Sequence, residues 1–372
     1  MVPHPPIWLI LIAFICALGP LVFFHELGHY LVGRLFKIPA ETFSIGFGPE
    51  ILGWTDRQGT RWKVSWLPLG GYVKFVGDMT PAGNPGDLEN IPPALRDRAF
   101  QVRPVWQRFL VVLAGPAANF ILAVAIFALF FATIGAPTSN VVGAVSKNSP
   151  AAHAGIRPGD RIVSLAGRPT PTFADLFNAT AVRPGETVIV VVRRGSSIIN
   201  VQVTLATGSL KAANGDSVKR GMFGVAASRE ALVPLPIGKA VSEAIAETAH
   251  ATGAIVDGLL QMARGYVSPK QIGGPIAIAN VAGDVATLGP TQFVSLLALL
   301  SINLGFINLL PVPMLDGGHL FFYVVEAVRR RPVSVAALDW AFRGGLAIIL
   351  TLLVFATGND LGLWSKLERL IG

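Results

Sequence analysis

Apolar residues dominate this chain in four long runs, separated by polar, glycine-rich or alternating segments. A helix crosses the hydrocarbon core of a bilayer in about 20 residues. The first run lies within residues 1–36, where Ile7 to Phe24 gives 18 residues without a charge and Pro20 predicts a kink. The second occupies 109–135. The third occupies 292–326 and is interrupted by Pro311, Pro313 and the Gly317-Gly318 pair. The fourth occupies 336–357, with Arg343 near its starting end, and leaves 358–372 as a C-terminal tail. No Lys or Arg precedes Arg34, so the cationic region of a cleavable signal peptide is missing and the first run is read as retained.

The intervening segments have patterns of their own. Within 37–108, Thr42 to Phe47, Arg61 to Trp66 and Tyr72 to Val76 are short runs of β-branched and aromatic residues separated by glycines, which predicts strands. Trp54, Trp62, Trp66 and Phe75 make this β region apolar for a loop. Two placements fit. It can be re-entrant, dipping into the membrane where protein or a cavity satisfies its backbone, or it can be an amphipathic sheet on the cytosolic surface. Residues 138–206 alternate Val and Ile with polar residues between turn signals, which predicts a small soluble β-rich domain. Residues 241–264 have helical periodicity, which predicts an amphipathic helix at the outer surface.

Composition fits a polytopic membrane protein. The 372 residues are 52% hydrophobic and 14% charged, against about 25% charged in soluble domains. The net charge of +8 gathers next to the apolar runs: Lys37, Arg57, Arg61, Lys63, Lys74, Arg96, Arg98, Arg103 and Arg108 after the first, and Arg329 to Arg331 before the fourth. The positive-inside rule puts both loops in the cytosol, and the termini and the long 135–290 segment outside. No basic stretch is interleaved with aromatics, so nucleic acid is not an expected partner. Cys16 is the only cysteine, which excludes an intramolecular disulfide.

The chemistry-bearing motif is His25-Glu26-Leu27-Gly28-His29, at the end of the first apolar run. Residues four apart share a helix face, so His25 and His29 can grip one metal ion with Glu26 beside its water as general base. Three ionisable groups in an apolar helix are costly without a metal or a cavity. A catalytic zinc takes three protein ligands and keeps one position open. Glu50 follows His29 by 21 residues but sits in a Gly-Pro turn. Asp316 is the stronger candidate for the third ligand, because prolines and glycines break the apolar run around it and an acid at that depth needs a cationic partner. His319 is a rival ligand, or a residue behind the ligands or facing water. Asn308 either hydrogen-bonds a substrate backbone or oxyanion, or bridges helices.

These motifs resemble the site-2 protease family of intramembrane zinc metalloproteases, nearest its bacterial regulator of sigma-E protease branch. The resemblance rests on the histidine motif, on Asn308 to Gly318 (NLLPVPMLDGG), and on Gly115-Pro116-Ala117-Ala118-Asn119, which is similar to that family's GPxxN motif. Ser149 to Ile162, with Asn178 and Pro184-Gly185, resembles a PDZ domain, completed by a strand near Gly221 to Val225 within 138–228. The implied fold is a predominantly α-helical polytopic membrane protein of about four transmembrane helices, with a membrane-associated β region and one inserted PDZ-like β-rich domain. The nearest branch often carries two tandem PDZ domains, whereas this chain has room for one.

The resemblance also implies roles. His25, His29 and Asp316 would hold Zn2+, Glu26 would be the general base and acid, and Asn308 would help hold substrate. Gly46 and Gly48 belong to a β region that would pair with unwound substrate. The expected substrates are single-span membrane proteins, such as anti-sigma factors, already trimmed by a first protease. The expected place is the bacterial inner membrane, with the PDZ-like domain outside, where it excludes bulky substrates or binds peptide ends, and the active site towards the cytosol. Two other readings compete: a prenyl-type membrane zinc protease, which needs a downstream Glu ligand and no PDZ-like domain, and a non-catalytic scaffold or zinc carrier, which has no use for Glu26.

Overall fold

The computed structural model describes residues 5–77, 91–135, 140–211, 217–227, 234–268 and 273–363. The chain order begins α1 (Ile7–Leu35), β1 (Ala40–Thr55), β2 (Arg61–Phe75), α2 (Pro93–Arg96) and α3 (Val105–Thr133). A β-rich stretch follows: β3 (Val142–Val145), α4 (Pro150–His153), β4 (Arg161–Leu165), β5 (Arg168–Pro169), α5 (Phe173–Ala181), β6 (Thr187–Arg194), β7 (Ser197–Thr204), β8 (Ala206–Lys211), β9 (Ser217–Met222) and β10 (Val225–Ala227). Helices complete the chain: α6 (Ile237–Ala263), α7 (Pro275–Leu288), α8 (Pro290–Asn308), α9 (Asp316–Arg329) and α10 (Val335–Asp360). Among them, α1, α3, α8 and α10 are long and apolar enough to cross a membrane. The expected C-terminal tail lies outside the described residues from 364 onward. The chain divides into two units, 1–124 with 278–354 and 125–277 with 355–372.

The first unit holds most of the apolar helix. Ala13 and Ala17 of α1 pack against Ala282 of α7, with Phe293, Leu296 and Leu300 of α8 around them. Small residues let helices approach closely where lipid gives no hydrophobic drive to association. Outward, Trp8, Leu11 and Ile15 of α1 and Leu346, Ile348 and Leu350 of α10 are exposed, as side chains that meet acyl chains would be.

The third apolar run is not one helix. It forms α8 and α9 with a seven-residue break at 309–315, because Pro311 and Pro313 donate no hydrogen bond. Asp316 thus becomes the first residue of α9, where a carboxylate complements the helix dipole. Further along α9, Glu326 is paired with Arg108 of α3 at 2.7 Å, and the Arg108 guanidinium lies over the Tyr323 ring.

The three strands expected between the first two apolar runs are in fact two long ones, each bent. Thr42 pairs with both Lys74 and Arg61, Ser44 with both Tyr72 and Lys63, and Trp54 with Trp62. The half-strands therefore lie side by side in the order 71–75, 40–45, 61–65, 50–55, a four-stranded ribbon made from one hairpin. Gly46 and Gly48 sit at the bend of β1 with φ of 89° and 90°, a conformation that a side chain disfavours. Phe43 stacks on Trp62 and meets Tyr30 of α1 edge-on. Tyr30 and Trp62 both donate to Asp56 in the hairpin turn. Ile51, Leu52, Trp54 and Trp66 remain exposed, so the ribbon is apolar on its outer side.

In the second unit, β5-β4-β6-β7 form one sheet, β3 pairs with β10 and β8 with β9. Along β6, Val188, Val190 and Val192 are buried while Thr187, Ile189 and Arg193 are exposed, which is the period-2 pattern of a half-buried strand. Leu176 of α5, Ile162, Leu165, Val203 and Leu205 complete this core. A capping box between Thr172 and Asp175 starts α5. The predicted strand near 221–225 is divided between β9 and β10, and the amphipathic helix begins at Ile237, after Pro236. Its exposed Ile237, Val241 and Ile245 recur every fourth residue, and Asp257 near its end pairs with Arg168 and Arg183.

Asp160 is a buried acid that predicts acid sensitivity here. The Arg194 guanidinium donates to both of its oxygens, at 2.8 and 2.7 Å. These bonds hold the carboxyl below its ordinary range, against the opposing effect of burial. A carboxyl depressed in the folded state stabilises above its unfolded pKa of about 3.9 and loses that contribution as pH falls through the lower folded value. Asp160→Asn is therefore expected to speed hydrogen exchange of the β4 and β6 amides in the full-length protein at pH 7. The gap from wild type should close only well below pH 4. A gap that already closes at pH 6 would contradict the pairing.

Candidate metal centre

His25, Glu26 and His29 fall in the half of α1 that packs against the β ribbon and α3. His25 and Glu26 are each 8% exposed. One helical turn separates the two histidines, and their Nε2 atoms are 3.3 Å apart. Asp316 Oδ2, at the start of α9, lies 3.1 Å from His25 Nε2 and 3.6 Å from His29 Nε2. These ligand atoms all lie within 4.8 Å of one another.

Helix α3 supplies what holds the rings. Its residues 111, 115 and 119 are spaced i, i+4, i+8 and share one face. The Val111 carbonyl accepts from His29 Nδ1 at 2.8 Å. A Cβ on Gly115 would stand 2.2 Å from His29 Nε2, so only glycine lets the ring lie there. The fully buried Asn119 places its amide nitrogen 3.1 Å from His25 Nδ1. In turn, Ser301 of α8 donates to the Asn119 carbonyl at 2.8 Å.

The donor set suits zinc. With His29 Nδ1–H committed to Val111, its Nε2 presents a lone pair. Asp316 Oδ2 is buried and lacks a well-aligned hydrogen bond. The His29 Nε2 lone pair and the carboxylate, facing one another at 3.6 Å, repel unless a cation lies between them. Two nitrogens, one oxygen and an open side match the ligand count of a catalytic zinc site. The open side is a cavity of about 620 Å³, lined by Glu26, Asn308, His319, Tyr323 and the 70–73 stretch of β2, among others.

The other sequence candidates fall in different places. Glu50 is ion-paired with Arg61 on the ribbon, away from the histidines. His319 lines the cavity with its ring 5.0 Å from that of Phe342, outside the converging set. Asn308, the last residue of α8, lines the cavity too. Gly46 and Gly48 are not among its lining residues, although Phe47 between them is; their positive φ angles serve the bend of β1, beside residues 70–73 of β2 at the cavity. There the Val73 N–H meets the Glu26 carboxylate. A Cβ on Gly71 would come within 2.7 Å of Val22 and 3.0 Å of Glu26, so the close approach of this edge to α1 depends on that glycine.

Asn119 and Val111 were not singled out for a role by sequence reasoning. The signal for Asn119 was the Gly115 to Asn119 motif, whose spacing does not itself reveal a histidine 94 residues away.

Comparison with known proteins agrees with this centre. A family model described as Peptidase family M50 matches residues 13–352. The chain is 43% identical over 360 residues to a Mesorhizobium japonicum protein named for the zinc metalloproteases, covering 94% of this chain and 98% of the relative. A similarly named Agrobacterium fabrum protein is 41% identical over 358 residues, covering 94% and 95%. Metalloprotease MmpA of Caulobacter vibrioides is 35% identical over 385 residues, covering 95% of each chain.

Proposed function

Because the chain belongs to peptidase family M50, the site-2 protease family, and is a membrane zinc metalloprotease, we propose that it cuts peptide bonds within transmembrane segments of single-span proteins. The observation that carries this reading is the convergence of His25, His29 and Asp316 beside Glu26, at the wall of a cavity between apolar helices. His25, His29 and Asp316 hold the zinc. When bound, zinc acts as a Lewis acid that lowers the pKa of a water towards 7 and polarises the scissile carbonyl. Glu26 takes the proton of the attacking water and returns it to the departing amine. Asn308 donates from the cavity wall to the substrate backbone.

A helical substrate must unwind before its amides can be attacked. The outermost half-strand of the ribbon, 71–75, supports a route for this: its edge away from β1 borders the cavity, so unwound substrate can add as a further strand next to Glu26. In this proposal the edge at Gly70 to Val73 takes the place first expected of Gly46 and Gly48.

The further assignments are anti-sigma-factor-like substrates after a first cleavage, the inner membrane, and an outward second unit with a PDZ-like role. Supporting the last is a cavity of about 460 Å³ lined by Ser149, Phe173, Leu176, Phe177 and the 220–225 stretch, with room for the end of a peptide. The test is cleavage of a reporter with one transmembrane segment by the purified protein in detergent, with zinc quantified. Cleavage inside the segment, with about one zinc per chain, is the expected result. Protein that holds zinc but cuts only soluble peptides would overturn the intramembrane reading.

A further inference from the structure

We propose that Asn119 is a positioning residue for the metal centre, whose side-chain amide selects the His25 tautomer able to bind zinc. The inference rests on His25, His29 and Asp316 being the ligands.

The two histidines are held differently. His29 faces a backbone carbonyl, Val111 O, which can only accept, so its ring proton stays on Nδ1 and Nε2 is free. His25 faces a carboxamide, which can donate or accept. In this structure the amide nitrogen is turned to His25 Nδ1 at 3.1 Å. A donor there forces the neutral ring to carry its proton on Nε2, the atom 3.1 Å from Asp316 Oδ2. That tautomer turns an N–H towards the carboxylate and blocks the lone pair a metal needs.

Turning the amide by about 180° exchanges its two ends with almost no change of shape. Asn119 Oδ1 then accepts from His25 Nδ1–H, and Nε2 faces Asp316 and His29 as a ligand. In the present orientation Asn119 Oδ1 is buried with no hydrogen-bond partner, so no bond at that end opposes the turn. Asn119 itself cannot move away: it is fully buried within α3. An asparagine can therefore serve both tautomers of His25 from one fixed position. Partners behind metal-bound histidines commonly change metal affinity by about 10–100-fold when removed.

The experiment is zinc affinity of the full-length protein in detergent, by competition with a chelator, plus the absorption spectrum with Co2+ in place of zinc. Asn119→Leu, close in shape but unable to accept, is expected to bind zinc about 10–100-fold more weakly and to alter the cobalt spectrum. Asn119→Asp can only accept and should restore wild-type affinity or better. Ser301→Ala, which loosens the same helix contact without touching His25, should bind as wild type does. The proposal is overturned if Asn119→Leu binds within about twofold of wild type, since removal of such a partner costs tenfold or more. It is overturned equally if Asn119→Asp binds no better than Asn119→Leu, or if Ser301→Ala loses as much. Wild-type protein that binds no zinc at all would instead remove the ligand assignment beneath it.

Discussion

Glu26→Gln leaves zinc bound and lowers reporter cleavage by about a hundred- to ten-thousand-fold, the usual worth of a positioned general base. The substitution keeps the size and shape of the side chain, so the buried site is not opened. Its carbonyl oxygen still accepts from the Val73 N–H that now meets the carboxylate. Neither histidine ring is touched, since their Nδ1 atoms are held from α3. Only the capacity to take and return a proton is lost. Zinc analysis and cleavage on the same preparation check this. A variant that cleaves at the wild-type rate would end the general-base assignment. One that loses zinc as well would make Glu26 part of the metal's own support, and the scaffold or carrier reading would regain ground.

Asp316→Ala has the opposite signature: both zinc and cleavage are lost. Two histidines alone leave the site a ligand short, and the remaining Nε2 atoms would face an empty corner of the cavity. The expected fall in zinc affinity is at least about a hundredfold, more than removing a partner that only orients a ligand. The fold should survive. At the first position of α9 the loss of a carboxylate removes a helix-dipole interaction of about 0.3–1 kcal/mol. A melting curve close to wild type, together with a metal-free preparation, is the outcome that supports the third-ligand role. Retention of zinc would point to His319 or to a downstream Glu, as a prenyl-type protease requires.

Much of this was legible along the chain because it is local. Length and apolarity alone mark α1, α3, α8 and α10, and an i, i+4 spacing on any helix brings His25 and His29 to one face. Pro311 and Pro313 announce the break that puts Asp316 at a helix start. The boundaries moved by a few residues, as at Ile237 in place of residue 241, because Pro236 suits the position just outside a helix.

The ribbon shows where local reading stops. Its strands have clear β patterns, yet nothing in them says that Thr42 pairs with two segments at once. That follows from bends at Gly46 and Gly48 and from Phe43, Trp62 and Tyr30 packing together. Gly46 and Gly48 stand at corners of the ribbon, and the 71–75 edge lies at the cavity. The sequence by itself determined a membrane-spanning chain with a two-histidine grip and a glutamate beside it. Only the tertiary structure decided which of Glu50, Asp316 and His319 stands beside the histidines, and that Asn119 holds His25. These contacts span tens to hundreds of residues, and their geometry is set by how helices pack, which no local pattern encodes.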